Sequence, residues 1–250
     1  MKKSGLKVAM VLGGAFLLAA CSGGSSNLSD PPPETDPSTS CGSGQVCITG
    51  RFEDGQVTGL DYTCGNITAK TDSNGDFTCV VGSTIKFMIK HPDSVHEVLL
   101  GQALVQDALQ NTGLLPKGTD GKPLKRIYLT ALDLAGTKDI AAPEAAAARN
   151  ITRLLHALNS SSSSPLAIKD NPARDIVLTE DDKKEFLVAL NESISLTALS
   201  ENDFEAKVGP ALSSMTVPRT MLLRPDADRT IEKAIYSIMA GLYQDNGFIV

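Results

Sequence analysis

Two neighbouring runs decide how this chain reads: Gly59-Leu60-Asp61-Tyr62-Thr63-Cys64, then Thr71-Asp72-Ser73-Asn74-Gly75-Asp76-Phe77-Thr78-Cys79. Aromatic and β-branched residues alternate with polar ones in each. Asn74-Gly75 between them supplies a turn in which glycine takes a positive φ without steric cost. The runs therefore predict two neighbouring strands, with Cys64 bridged to Cys79. That bridge closes a loop of about 15 residues and in the chain-entropy view contributes ~3 kcal/mol. Cys41 and Cys47 then pair with each other, although four cysteines allow three connectivities in principle.

Outward from this pair, punctuation by Gly, Asp and Pro delimits further apolar runs at 51–52, 57–60, 77–81, 84–89 and 98–105. These are expected to form a small antiparallel sheet. The region 95–109 also fits a helical period. Beyond Pro143 the period changes, and Ala148, Ile151, Leu154, Leu155 and Leu158 mark one face of a helix. Thr179 with Asp182, and Ser200 with Asp203, predict the caps of two more helices, the first running to Leu190. Ile231, Ala234, Ile235, Ile238, Met239 and Leu242 stripe a last helix with Gly247 beyond its end. The expected fold class is α+β: a disulfide-stapled β module over 41–105, then a mainly helical region over 106–250.

The succession Val57-Thr58-Gly59-Leu60, Tyr62, Cys64, Thr71-Asp72, Gly75, Phe77, Cys79, Gly82, Phe87 resembles a module near the N-terminus of uncharacterised envelope lipoproteins of Gram-negative bacteria. Its Thr-Asp-x-x-Gly-x-Phe turn is similar to that of the small β-sandwich domains called carboxypeptidase regulatory-like. The likeness continues through Leu100-Gly101, 129–135 and 150–158, about half of the chain after a signal peptide. It implies a fold and a location, and no agreed activity. It also favours strand over helix for the first half of 95–109. Where the relatives carry an Asp-rich turn after the leucine-rich helix, this chain has Asn159 and then Ser160 to Ser164, which predicts a polar loop ending the helix.

The location has its own signal. Lys2, Lys3 and Lys7 precede an apolar run from Val8 to Ala20 that is too short to span a bilayer stably. Leu18-Ala19-Ala20-Cys21 resembles the lipobox of bacterial lipoproteins, which implies cleavage after residue 20 and acylation of Cys21. Two or three acyl chains hold a protein at a membrane essentially permanently, each buried methylene contributing ~0.8 kcal/mol. Ser22 in place of aspartate implies the outer membrane by the enteric sorting pattern. From 22 to 40 the chain is Ser, Gly, Pro, Asp and Thr with one Asn, one Glu and Leu28 as its one large apolar residue, so 21–40 reads as a lipidated cysteine followed by a disordered tether.

Cleavage would remove three lysines and no acid, taking the formal charge from −6 to −9. A chain this acidic, with no compensating basic run, is a poor ligand for nucleic acid. With no tryptophan and 4% aromatic residues, its core is expected to be aliphatic, and sugar-stacking platforms are disfavoured.

The candidate chemistry is sparse. Asp72, Asn74 and Asp76 have the oxygen spacing that opens a calcium loop, but Ser83 stands where the closing glutamate belongs, so a plain β-turn is expected. His156 lies beside the apolar face of its helix and reads as a structural residue. His91 and His96 are poorly spaced for a shared metal, and no histidine is close in sequence to the cysteines. There is no Gly-x-Ser-x-Gly elbow, phosphate loop or His-Glu-x-x-His helix. The body is therefore expected to need neither metal nor cofactor, and no catalytic residue is assigned. Two roles remain. One is a lipid-anchored structural or interaction protein facing an envelope protein or surface polymer. The other is a periplasmic hydrolase or small-ligand binder with a site between the β and helical halves.

Overall fold

In the computed structural model the described residues are 45, 47–105, 126–160 and 176–245, with the side chains of 126 and 239–245 left aside. The expected signal peptide, Cys21, the tether and Cys41 lie outside them, as do Ser161 to Ser164 and Gly247. All the described residues fall in one compact unit. The strands are β1 (Cys47–Phe52), β2 (Val57–Thr58), β3 (Asp61–Cys64), β4 (Ile67–Lys70), β5 (Asp76–Val80), β6 (Thr84–Ile89), β7 (Val98–Leu104), β8 (Arg126–Leu129), β9 (Ile176–Val177) and β10 (Ile194–Ser195). The helices are α1 (Ala131–Ala135), α2 (Ala145–Ala157), α3 (Glu180–Leu190), α4 (Glu201–Ser213) and α5 (Arg224–Asp245). The fold is α+β.

The strands make a three-stranded sheet in the order β5-β1-β8, a five-stranded sheet β10-β7-β6-β3-β4, and the short pair β2-β9. Strands close in sequence pair antiparallel, as expected. The parallel pairs are β1 with β8, β7 with β10, and β2 with β9, each contributed by a strand beyond residue 105. Segments on both sides of that position thus share one core.

The Cys64–Cys79 disulfide is present, with its Cα atoms 5.3 Å apart. Its setting differs from the expected neighbouring strands: β3 pairs with β4 and β6, whereas β5 pairs with β1. The bond therefore staples one sheet to the other. The reason lies in 67–70, which forms the unexpected strand β4 and takes the hairpin position beside β3. Tyr62 and Phe87 of one sheet meet Phe52 and Phe77 of the other at ring distances of 5.1 to 5.9 Å. Four aromatic residues are gathered at this sheet-to-sheet contact, while Phe186 and Phe204 are fully buried on the helices and aliphatic residues fill the rest. Cys47 is buried and disulfide-bonded.

The Thr-Asp-x-x-Gly-x-Phe text has a physical reason at every position. The Thr71 hydroxyl donates to Val57 O at 2.5 Å and accepts from Leu60 N at 3.0 Å. Asp72 Oδ1 accepts from Asn74 N and Asp76 N at 2.8 and 2.9 Å. Gly75 has φ +74°, and a side chain there would press on the backbone of Phe52 and Gln56.

Thr179 and Ser200 cap α3 and α4 by accepting from Asp182 N and Asp203 N, as the sequence predicts. On α2 and its C-cap, Ala148, Ile151, Leu154, Leu155 and Leu158 are all fully buried. The helix is enclosed well beyond that face, however, because Asn150, Thr152, Arg153 and His156 are buried too. It is the central helix, packed by α1, α4 and α5. Among the described residues no helix is long and apolar enough to cross a membrane.

Candidate functional site

β1 ends at Phe52, whose ring is held in the core, and the chain must reverse to begin β2 at Val57. Gly55 at φ +93° and Gln56 at φ +57° make that reversal. For Gln56 the left-handed conformation costs roughly 1 kcal/mol. Three backbone bonds hold the turn: Phe52 N to Gly75 O at 3.0 Å, Glu53 N to Leu129 O at 2.8 Å, and Ile176 N to Gly55 O at 3.2 Å. So held, Asp54 is turned inward, 1% exposed.

Thr152 and His156 lie four residues apart on α2 and share a face. Both are buried, His156 being 4% exposed, and His156 Nε2 stands 4.0 Å from Asp54 Oδ1. Neither carboxyl oxygen of Asp54, neither ring nitrogen of His156, nor Thr152 Oγ1 has a hydrogen-bond partner of ordinary geometry. The Thr152 hydroxyl is nonetheless close enough to the carboxyl to favour its charged form. Burial outweighs it and, with a smaller contribution from Glu53, pushes the Asp54 carboxyl well above the usual carboxylate range. Burial also pushes the His156 imidazole down to about 4. Both groups are thus poised to be neutral in the interior.

A second buried polar cluster also joins the β region to the helices. Lys183 of α3, 0% exposed, donates to Asp61 Oδ2 at 2.6 Å and to Gly59 O at 3.1 Å, and lies 2.7 Å from Glu180 Oε1. Lys70 lies 2.6 Å from the same Glu180 oxygen. Gly59 is required beside it: φ is +79°, and an added Cβ would stand 2.5 Å from Leu178 O. Here every charge has an opposite.

Other polar groups of α2 reach the C-terminal helices and the loops that precede them, although Asn150 Oδ1 has no partner. Asn150 Nδ2 donates to Leu199 O at 3.2 Å, and Arg153 Nε to Leu222 O at 2.8 Å. Arg153 also reaches Glu205 at 2.8 Å, and Arg149 contacts Glu201 and Asp228. Beyond the helix end, Asn159 Oδ1 accepts from Val177 N at 3.0 Å, and both the backbone and hydroxyl of Ser160 donate to Val177 O.

The calcium-like residues are brought together as a turn, with their oxygens committed separately. Asp72 bonds its own backbone, while Asp76 accepts from Arg51 Nε at 2.7 Å. His91 Nδ1 accepts from Asp93 N at 3.1 Å in the loop before β7. Among the described residues no group of three or more His, Cys, Asp and Glu is placed to hold a metal ion. Sequence reasoning singled out His156 but missed Asp54, Thr152 and Lys183. Asp54-Gly55 reads as an exposed turn and Lys183 as an exposed helix position, so neither carried a local signal.

Compared with protein-family models, curated proteins and solved structures, the chain has no match.

Proposed function

We propose that the chain is a lipid-anchored cell-envelope protein with a structural or interaction role at the outer membrane. The observation that carries this reading is Leu18-Ala19-Ala20-Cys21 at the end of a basic-then-apolar opening. The Cys64–Cys79 bond supports it, because disulfides persist in oxidising compartments and a stapled sandwich withstands life outside the cytoplasm. The acidic tether of small residues supports it as well, since it would hold the body off the membrane. The partner class is an envelope protein or a surface polymer.

One observation favours the second reading, a periplasmic hydrolase or small-ligand binder. Asp54 comes from the β region and His156 from a helix, so an acid and an imidazole converge where a site between the halves would lie. Both are buried, so a substrate would require the turn or the helix to open.

Pull-down of the full-length protein from membranes, after mild crosslinking, separates the two. The interaction reading expects a stoichiometric envelope partner that is retained by Asp54→Asn. A protein recovered alone, with hydrolytic activity that Asp54→Asn abolishes, would establish the second reading.

A further inference from the structure

Buried polar side chains in folded proteins almost always have partners, and several without them at one place mark a bound species. Three residues that meet between the β1–β2 turn and α2 carry five unpartnered atoms: two oxygens of Asp54, Thr152 Oγ1 and two nitrogens of His156. The 4.0 Å between Nε2 and Oδ1 is too long for a direct hydrogen bond. It suits one shared atom, because two bonds of about 2.8 Å meeting at about 90° to 110° span about 4.0 to 4.6 Å.

We propose that Asp54, Thr152 and His156 enclose a water molecule through which the carboxyl and the imidazole share a single proton, forming a neutral polar lock between the β1–β2 turn and α2. The carboxyl O–H donates to the water, and the water donates to His156 Nε2, leaving the ring proton on Nδ1. Water suits the site because it both donates and accepts and needs two to four polar partners. A metal ion would have only Asp54 and His156 as strong ligands, since no third acid, histidine or cysteine among the described residues joins them.

The surrounding charges leave the pair isolated. Glu53, on the same turn, raises the Asp54 carboxyl further. On the helices packed on α2, Glu201, Glu205 and Asp228 are engaged by Arg149 and Arg153, and Asp133 of α1 by Lys138. Burial is what lowers His156.

Folding then moves a proton without gaining or losing one. Between about pH 4 and 6.5 an unfolded chain carries ionised Asp54 and protonated His156. The folded pair carries a protonated Asp54 and a neutral His156. Asp54, with its folded pKa raised, contributes stability below its unfolded value that is lost as pH rises. His156, with its folded pKa lowered, contributes stability at neutral pH that is lost as pH falls from 6.5 toward about 4. In the wild type the two slopes oppose.

The test is urea unfolding from pH 4 to 7 of the wild type, Asp54→Asn and His156→Gln. Relative to the wild type, Asp54→Asn should gain stability as pH rises and His156→Gln should gain it as pH falls. Each slope should approach tenfold in the unfolding constant per pH unit. Variants that both track the wild type overturn the shared proton, and the wild type itself decides between a neutral pair and an ion pair. Nitrogen NMR of the wild type needs no variant: a neutral Nδ1–H ring for His156 at pH 5.5 is expected, and an imidazolium contradicts it. A crystal structure with water between Nε2 and Oδ1 is expected. A direct contact under 3 Å, or a thermal midpoint raised by added zinc or calcium, overturns the water.

Discussion

Two buried polar clusters join the β region to the helices, and they solve the same problem in opposite ways. Around Lys183 the charges are kept and paired, with Asp61, Glu180 and Gly59 O in contact. Around His156 burial pushes the Asp54 carboxyl up and the imidazole down, each toward its neutral form, with the two groups 4.0 Å apart. The difference follows from access. The Lys183 partners reach the surface, Glu180 being 41% and Asp61 15% exposed, so the cluster draws on solvent. Asp54 and His156 lie under the turn and inside the helix bundle, where an isolated charge is prohibitive.

The largest effect expected from breaking this comparison is at Lys183. Lys183→Met keeps the volume but leaves Asp61 with only the Lys70 ammonium, 4.0 Å away. Removing one member of a buried pair costs about 3–5 kcal/mol, and the solvent access of Asp61 places this case near 3. Urea unfolding at pH 7 measures it. Cleaving the Cys64–Cys79 bond, by paired serine substitutions, should cost a comparable ~2 to 4 kcal/mol. That loss should be the same from pH 4 to 7, which separates general destabilisation from effects of a titrating site. Because the two sides of residue 105 share a core, the reduced protein should melt in one transition at lower temperature.

Smaller effects sharpen the contrast. Thr71→Val removes a buried, fully partnered hydroxyl and leaves Val57 O and Leu60 N short of a partner, at about 1–2 kcal/mol. Asp54→Asn, which removes no direct bond to a protein group, should stay within about 1 kcal/mol of the wild type at pH 7.

Acid should also separate the clusters. Burial by itself would raise the Glu180 carboxyl, but hydrogen bonds from Lys183 and Lys70 outweigh it and hold the carboxyl below its usual range. Its contribution is therefore present above the unfolded value and lost as pH falls through the folded one. Lys183→Met should flatten that acid-side loss, and Asp54→Asn should not.

What could be read in the sequence was local. Thr71, Asp72 and Gly75 act on backbone groups within a few residues or on one adjoining strand, and the caps at Thr179 and Ser200 act three residues away. Such chemistry leaves its mark in spacing. The disulfide partners were legible for the same reason, although not the sheets they join, because the position beside β3 was taken by 67–70. The parallel strands β8, β9 and β10 were not legible. Two of them are only two residues long, and all three are fixed by partners far away in the chain. Asp54, Thr152 and Lys183 are polar residues on turns and helix faces that ordinarily meet water, and only the shared core encloses them.

The reading of the chain as an envelope lipoprotein rests on Cys21, and labelling with palmitate in a bacterial host tests it most directly. The wild type should incorporate label and lose residues 1–20, while Cys21→Ala should incorporate none and retain them. Equal labelling of the two proteins, or an unlabelled wild type cut elsewhere, would contradict the account.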